Sequence, residues 1–87
     1  RMGGDEFLVL VTDISLKEGE VLAAQINKAL RRPYYIDDNL IFVSVSIGAI
    51  QVLPNNDISL KQIINSADEQ LYLAKKHMRN AVYFDIY

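Results

Sequence analysis

The chain has 87 residues, 51% of them hydrophobic and 23% charged, with a formal net charge of −2, a pI near 5.2 and no cysteine. That length holds at most one small domain, and so short a chain buries only roughly 60–65% of its unfolded surface, which predicts a marginal core. The composition is that of a soluble globular chain, and it excludes disulfides, thiolate metal sites, the ~20-residue apolar run of a membrane span and the broad basic field that grips polymeric nucleic acid.

The absence of cysteine fits a reducing compartment, and no secretory signal is expected before the first apolar run. Gly3 and Gly4 followed by Asp5 and Glu6 predict a tight hairpin turn with two acids at its tip, because glycine takes positive φ freely and has no Cβ. Residues 6–11 form a continuous apolar run after Phe7, which predicts a central strand buried on both faces. Ser15 and Glu18 have capping-box spacing, and Leu22, Ile26, Ala29 and Leu30 recur on one face, predicting a helix over residues 15–31 that Pro33 stops. Residues 34–36 and 40–52 then read as two strands of a hairpin around Asp37, Asp38 and Asn39. After a loop at 54–57, Ser59 and Gln62 repeat the capping spacing. They open a longer helix to Met78 with the stripe Leu60, Ile63, Ile64, Ala67, Leu71, Ala74 and Met78. Residues 81–86 predict a closing strand, and no repeat, linker or low-complexity tract interrupts the order. The fold class expected is α+β, a mostly antiparallel sheet with covering helices.

Three motifs recur in a familiar sequence: Arg1-Met2-Gly3-Gly4-Asp5-Glu6-Phe7, then Ser46-Ile47-Gly48, then Ala67-Asp68 through Leu71-Tyr72-Leu73-Ala74-Lys75 to Arg79-Asn80. Together they resemble the GGDEF family, diguanylate cyclases that condense two GTP into cyclic di-GMP, and the likeness covers essentially the whole chain. It implies a nucleotidyl-cyclase, palm-like architecture related to ferredoxin folds. A complete domain of that family is about twice as long. Since Arg1 stands only two residues before a turn that needs an incoming strand, residues 1–87 are expected to be the C-terminal half of a single GGDEF domain, incomplete at the N-terminus.

The resemblance also implies roles. Asp5 matches the position that ligates metal and assists deprotonation of the attacking hydroxyl, and Glu6 is the neighbouring acid; both are expected to be catalytic and to hold Mg²⁺ or Mn²⁺. Strand alternation would aim the two acids at opposite faces, which favours Asp5 for the metal. Gly4 is the substrate-contact position, where the backbone approaches the nucleotide, and Gly3 is mainly a turn former. Lys75 and Arg79 match the positions assigned to the β- and γ-phosphates; they lie four apart on one helix face, a point charge beside a guanidinium fork. Each has a plainer explanation, since acids beside glycine are ordinary turn residues and cations suit a helix C-terminus. Family register favours the functional reading for these positions and leaves Lys76 to the solvated face. Met78 departs from the glycine usual before that arginine. Asp68, Tyr72, Ser46 and Gly48 are expected to be architectural, Tyr72 packed with its hydroxyl at the boundary and Gly48 allowing close backbone approach. His77 is expected at the solvated surface and Arg1 beside the turn.

The family's first metal-binding aspartate, its guanine-reading Asn and Asp, and its inhibitory Arg-x-x-Asp lie upstream of the turn and have no counterpart in these residues. The 87 residues alone are therefore expected to be inactive. The parent is expected to be a cytoplasmic diguanylate cyclase, with or without an inner-membrane tether elsewhere and without direct membrane contact. It would take GTP, release cyclic di-GMP and need a second GGDEF domain in a homodimer. The alternative is a non-catalytic module that binds GTP or cyclic di-GMP and regulates an attached phosphodiesterase or other signalling domain. A third reading, an assembly element, predicts no Mg²⁺-dependent nucleotide binding.

Overall fold

In the computed structural model, which describes residues 1–78 and 81–87, Ser15 starts helix α1 (Leu16–Leu30) as its spacing predicts. Its hydroxyl accepts from the Glu18 N–H at 3.2 Å, and the Glu18 carboxylate accepts from the Ser15 N–H at 3.1 Å. Ser59 and Gln62 do the same before helix α2 (Leu60–Met78), with bonds of 3.2 and 3.0 Å. At the far end of α1 the Arg31 N–H still reaches the Asn27 carbonyl at 3.1 Å before Pro33 opens strand β1 (Pro33–Ile36).

Strand β1 pairs antiparallel with β2 (Asn39–Phe42), Ile36 opposite Asn39 and Pro33 opposite Phe42. The connection is two residues long, and both Asp37 (φ 48°) and Asp38 (φ 65°) are left-handed, the signs of a type I′ turn, whose twist matches that of the strands. Residues 43–46 then leave the ladder. The single strand expected over 40–52 is thus two strands, and its second part is β3 (Ile47–Gln51). Strand β4 (Val82–Ile86) lies parallel to it, with Ile47 opposite Val82 and Gln51 opposite Ile86.

The mostly antiparallel sheet expected from the sequence is corrected here: the described residues form one antiparallel and one parallel pair, in two separate sheets. The reason is the connection. Parallel neighbours need a crossover, and α2 supplies it between β3 and β4.

Side-chain direction along β3 separates the helices. A Cβ on Gly48 would overlap the Leu71 backbone and the Ala67 carbonyl of α2, so glycine there permits a very close helix–strand contact. Three residues on, hence on the opposite face, Gln51 reaches the other way: its Nε2 donates to the Ile14 carbonyl at 3.1 Å and its carbonyl oxygen lies against Gly19 of α1. The β3–β4 pair is therefore sandwiched, α1 on one face and α2 on the other. Asn27, buried, ties α1 down by donating from Nδ2 to the Val45 carbonyl at 2.9 Å.

The core is as slight as the length implies; Ala23 and Ala74 are the buried apolar residues among those described. Leu22, Ile26, Ile63, Ile64, Ala67 and Leu71 are half-buried around them. Ala29, Leu30 and Leu60, expected on the apolar stripes, are instead exposed.

The largest departure concerns residues 7–11. They were expected to form a central strand, yet Phe7, Val9 and Leu10 are 73%, 66% and 79% exposed, and no described segment pairs with them. An apolar run becomes a buried strand only when neighbours satisfy its backbone groups and cover its faces.

Candidate active site

The acidic turn is set by its backbone. The Glu6 N–H donates to the Gly3 carbonyl at 2.9 Å and the Met2 N–H to the Glu6 carbonyl at 2.8 Å, closing an antiparallel bridge between Gly3 and Glu6. Gly4 occupies the first corner at φ 53°, while Asp5 stays outside the left-handed region, the signs of a type II′ turn, which places glycine at this corner. Arg1 braces it from behind, its Nε donating to the Gly4 carbonyl at 3.0 Å. In front there is room: a Cβ on Gly4 would meet nothing within 4 Å. A ligand can therefore approach this peptide closely, and what demands glycine is the dihedral angle.

Asp5 and Glu6 both stand exposed at the tip. Helix α2 closes on one of them. Lys75 Nζ lies 3.7 Å from Glu6 Oε1, with the two side chains 44% and 51% exposed. Residues 69 positions apart in sequence are so brought to one place, two acids and one cation opening to solvent. At such exposure the pair is a weak tether, worth roughly 0–1 kcal/mol, so it leaves both groups available to a ligand. Arg79 and Asn80 lie outside the described residues, as does the side chain of Met78, so the expectation that Arg79 binds phosphate falls on a residue that is not described.

Among the described residues no three His, Cys, Asp or Glu side chains cluster as a metal cage. The donor set at the turn still fits a hard divalent cation, because Mg²⁺ takes one or two carboxylates and completes its shell with water and substrate phosphates. Asp5 and Glu6 are the residues that would hold it.

Around this centre, three features differ from the sequence reading or were missed by it. Tyr72 is not packed but 63% exposed, with the Lys76 ammonium 5.8 Å from its ring centroid. Their i, i+4 spacing was the available signal. His77 is at the surface as expected, yet its ring lies nearly parallel to that of Tyr83 on β4, centroids 6.2 Å apart at 18°. Gln51 meets Gly19 and Ile14 from more than thirty residues away, and no local pattern announces that contact.

Comparison with known proteins agrees with the motifs. The family profile for diguanylate cyclase, GGDEF domain, matches residues 1–81. The probable diguanylate cyclase DgcT of Escherichia coli is 38% identical over 94% of this chain and 19% of its own length. The bifunctional diguanylate cyclase/cyclic di-GMP phosphodiesterase MucR of Pseudomonas aeruginosa is 32% identical over 97% and 12%. The cyclic di-GMP phosphodiesterase PdeR of Escherichia coli is 38% identical over 87% and 11%. The chain thus spans between a tenth and a fifth of the length of these relatives. No solved structure matches. With the family profile matching residues 1–81 and relatives 32–38% identical over most of this chain, the chain belongs to the GGDEF family.

Proposed function

We propose that the parent protein is a diguanylate cyclase that joins two GTP into cyclic di-GMP with release of pyrophosphate. The observation that carries this reading is the 3.7 Å approach of Lys75 to Glu6, which sets an ammonium group beside the acidic turn. In each half-reaction a ribose 3′-hydroxyl attacks an α-phosphate, forming a new P–O bond as the bond to pyrophosphate breaks. Asp5 accepts the hydroxyl proton. The Gly4 backbone, open on its ligand side, lets the triphosphate approach. Lys75 then exchanges its weak contact with Glu6 for oxygens of the β- or γ-phosphate, which frees Glu6 as a ligand. Arg79 is the second phosphate group in this scheme. A divalent cation bound by Asp5 and Glu6 would supply charge neutralisation on the reacting oxygens. Two such domains, each presenting one GTP, are needed for the double condensation, and the isolated 87 residues are inactive because the guanine-reading side chains and the other metal carboxylate belong to the remainder of the domain. No described helix is long and apolar enough to cross a membrane. Because the reading requires a supply of GTP, we place the activity in the cytoplasm.

The test is to incubate the parent protein with GTP and Mg²⁺ and to quantify cyclic di-GMP and pyrophosphate, with and without Asp5→Ala. Product is expected from the unsubstituted protein and a loss of at least ~100-fold from the variant, the scale of removing a general base. Undiminished turnover by Asp5→Ala would remove the assignment. The likeness to PdeR, whose name is that of a phosphodiesterase, favours a second reading, a regulatory domain that binds GTP or cyclic di-GMP without cyclising. Saturable GTP binding with no product would select it.

A further inference from the structure

The edge of β1 that faces away from β2 has a pattern that matches itself when a second copy is turned end for end. Ile36 and Asn39 flank a two-residue turn and so form a hydrogen-bonded pair, which directs the backbone groups of Ile36 and Tyr34 toward β2. Those of Tyr35, and the carbonyl of Pro33, point outward. Apart from the Tyr34 hydroxyl, which donates to the Leu30 carbonyl at 3.0 Å, β1 meets no described element but β2, and Tyr35 is 79% exposed. Arg31 and Arg32 stand at the base of the strand and Asp37 and Asp38 at its tip.

We infer that β1 is the pairing edge for a second copy of this chain, the two β1 strands running antiparallel about a two-fold axis at Tyr35. Charge selects that direction, because antiparallel strands set the basic base of each against the acidic tip of the other, whereas parallel strands would set like charges together. Backbone chemistry selects the register. With Tyr35 opposite Tyr35, those two residues exchange both hydrogen bonds. Pro33 then stands opposite Asp37, and its carbonyl accepts the Asp37 N–H. Pro33 has no N–H to return, but the Asp37 carbonyl already accepts from the Asn39 side-chain amide at 3.3 Å, so nothing is orphaned. Arg32 falls opposite Asp38 at each end. A slip that sets Tyr35 opposite Pro33 would leave the Tyr35 carbonyl facing a residue without a donor. The opposite slip sets Arg32 against Leu40 and loses the charge pairs. An open strand edge is a template for pairing, and this one is addressed to its own sequence. The inference stands independently of the cyclase reading.

These 87 residues contain no cysteine, so no other thiol of this segment competes with one introduced at Tyr35. In the parent protein, Tyr35→Cys places two thiols at a hydrogen-bonded antiparallel position with Cα atoms about 5.5 Å apart, within the roughly 4.4–6.8 Å that a disulfide spans. Under mild oxidation at low micromolar concentration, this variant is expected to give at least ~10-fold more covalent dimer than Phe42→Cys, a 73% exposed position on the other strand, or than the unsubstituted parent. Adding Asp38→Arg is expected to suppress the dimer, and adding Arg32→Asp to that is expected to restore it, with circular dichroism confirming that each variant is folded. Cross-linking no greater than that of Phe42→Cys, a charge swap that fails to restore it, or a disulfide-linked partner of different mass would each overturn the inference.

Discussion

Lys75 separates the structural from the functional account at the residue scale. As a helix-surface cation it contributes little to folding, since its contact with Glu6 is long and open to solvent. Lys75→Gln should therefore change the stability of the domain by no more than about 1 kcal/mol, while weakening GTP binding by at least ~10-fold through loss of a charge-assisted phosphate contact. Calorimetric titration with GTP beside a denaturant series reads both, and equal losses in the two would return Lys75 to an architectural role. Glu18 offers a second residue-level test, now of the fold. Its hydrogen bonds, first with the Ser15 side chain and then with the Ser15 backbone, hold its carboxyl below the usual glutamate range. A depressed folded-state value means that the unfolded chain binds the proton more readily. The stabilisation is then complete above the ordinary value of about 4.3 and is lost as pH falls through the lower folded value. Glu18→Gln should flatten the acid limb of stability against pH below the ordinary glutamate value, with no change near neutrality in its slope; an unaltered acid limb would remove the cap from that role.

At the scale of elements, Gly48 is the position where β3 and α2 touch backbone to backbone. Gly48→Ala drives a methyl into the Leu71 and Ala67 backbones, which cannot rotate away as a side chain would. It should cost at least about 2 kcal/mol, read as a shift in denaturation midpoint at constant slope; a near-neutral result would mean that the helix can lift off the strand without penalty. This contact also marks what local pattern conveys. Both helices start at the serines the capping boxes predict, because a cap is a three-residue device whose partners are neighbours in sequence. The hairpin turn is likewise local, as two adjacent left-handed aspartates decide it. Parallel pairing of β3 with β4 is not local; it depends on a helical crossover returning the chain to the same edge. Periodicity in residues 40–52 and 81–86 is equally compatible with either direction. Residues 7–11 fail for the converse reason, since a run of apolar side chains describes what would be buried and says nothing of whether a neighbour is there to bury it. At the site, the motif letters located the turn and the lysine, while the Glu6–Lys75 approach and the exposed Tyr72–Lys76 pair became visible only in three dimensions.

For the whole molecule, shape and stability are unevenly distributed. The radius of gyration is 14.3 Å and the longest extent 51 Å against 24 and 23 Å, whereas a compact chain of this length is expected near 12 Å. The excess comes from parts that stand away from the sandwich: apart from the Tyr34 hydroxyl on the Leu30 carbonyl of α1, the hairpin of β1 and β2 packs on no other described element, and the segment at 7–11 pairs with nothing described. Free energies of local opening follow burial and hydrogen bonding, so the molecule should open in two classes. Amides of β3 and β4, held between the two helices, and of the central turns of α2, packed on those strands, form one class, protected to near the global stability. Amides at Leu8, Val9 and Leu10, and the outward N–H of Tyr35, form the other and should exchange close to the rate of an unstructured peptide. Hydrogen exchange on the 87-residue chain, kept dilute so that the hairpin edges stay apart, distinguishes them directly. Slow exchange at Val9 equal to that at Ala49 would mean that residues 7–11 find a strand partner after all. The sandwich of β3 and β4 would then be only part of a larger continuous sheet.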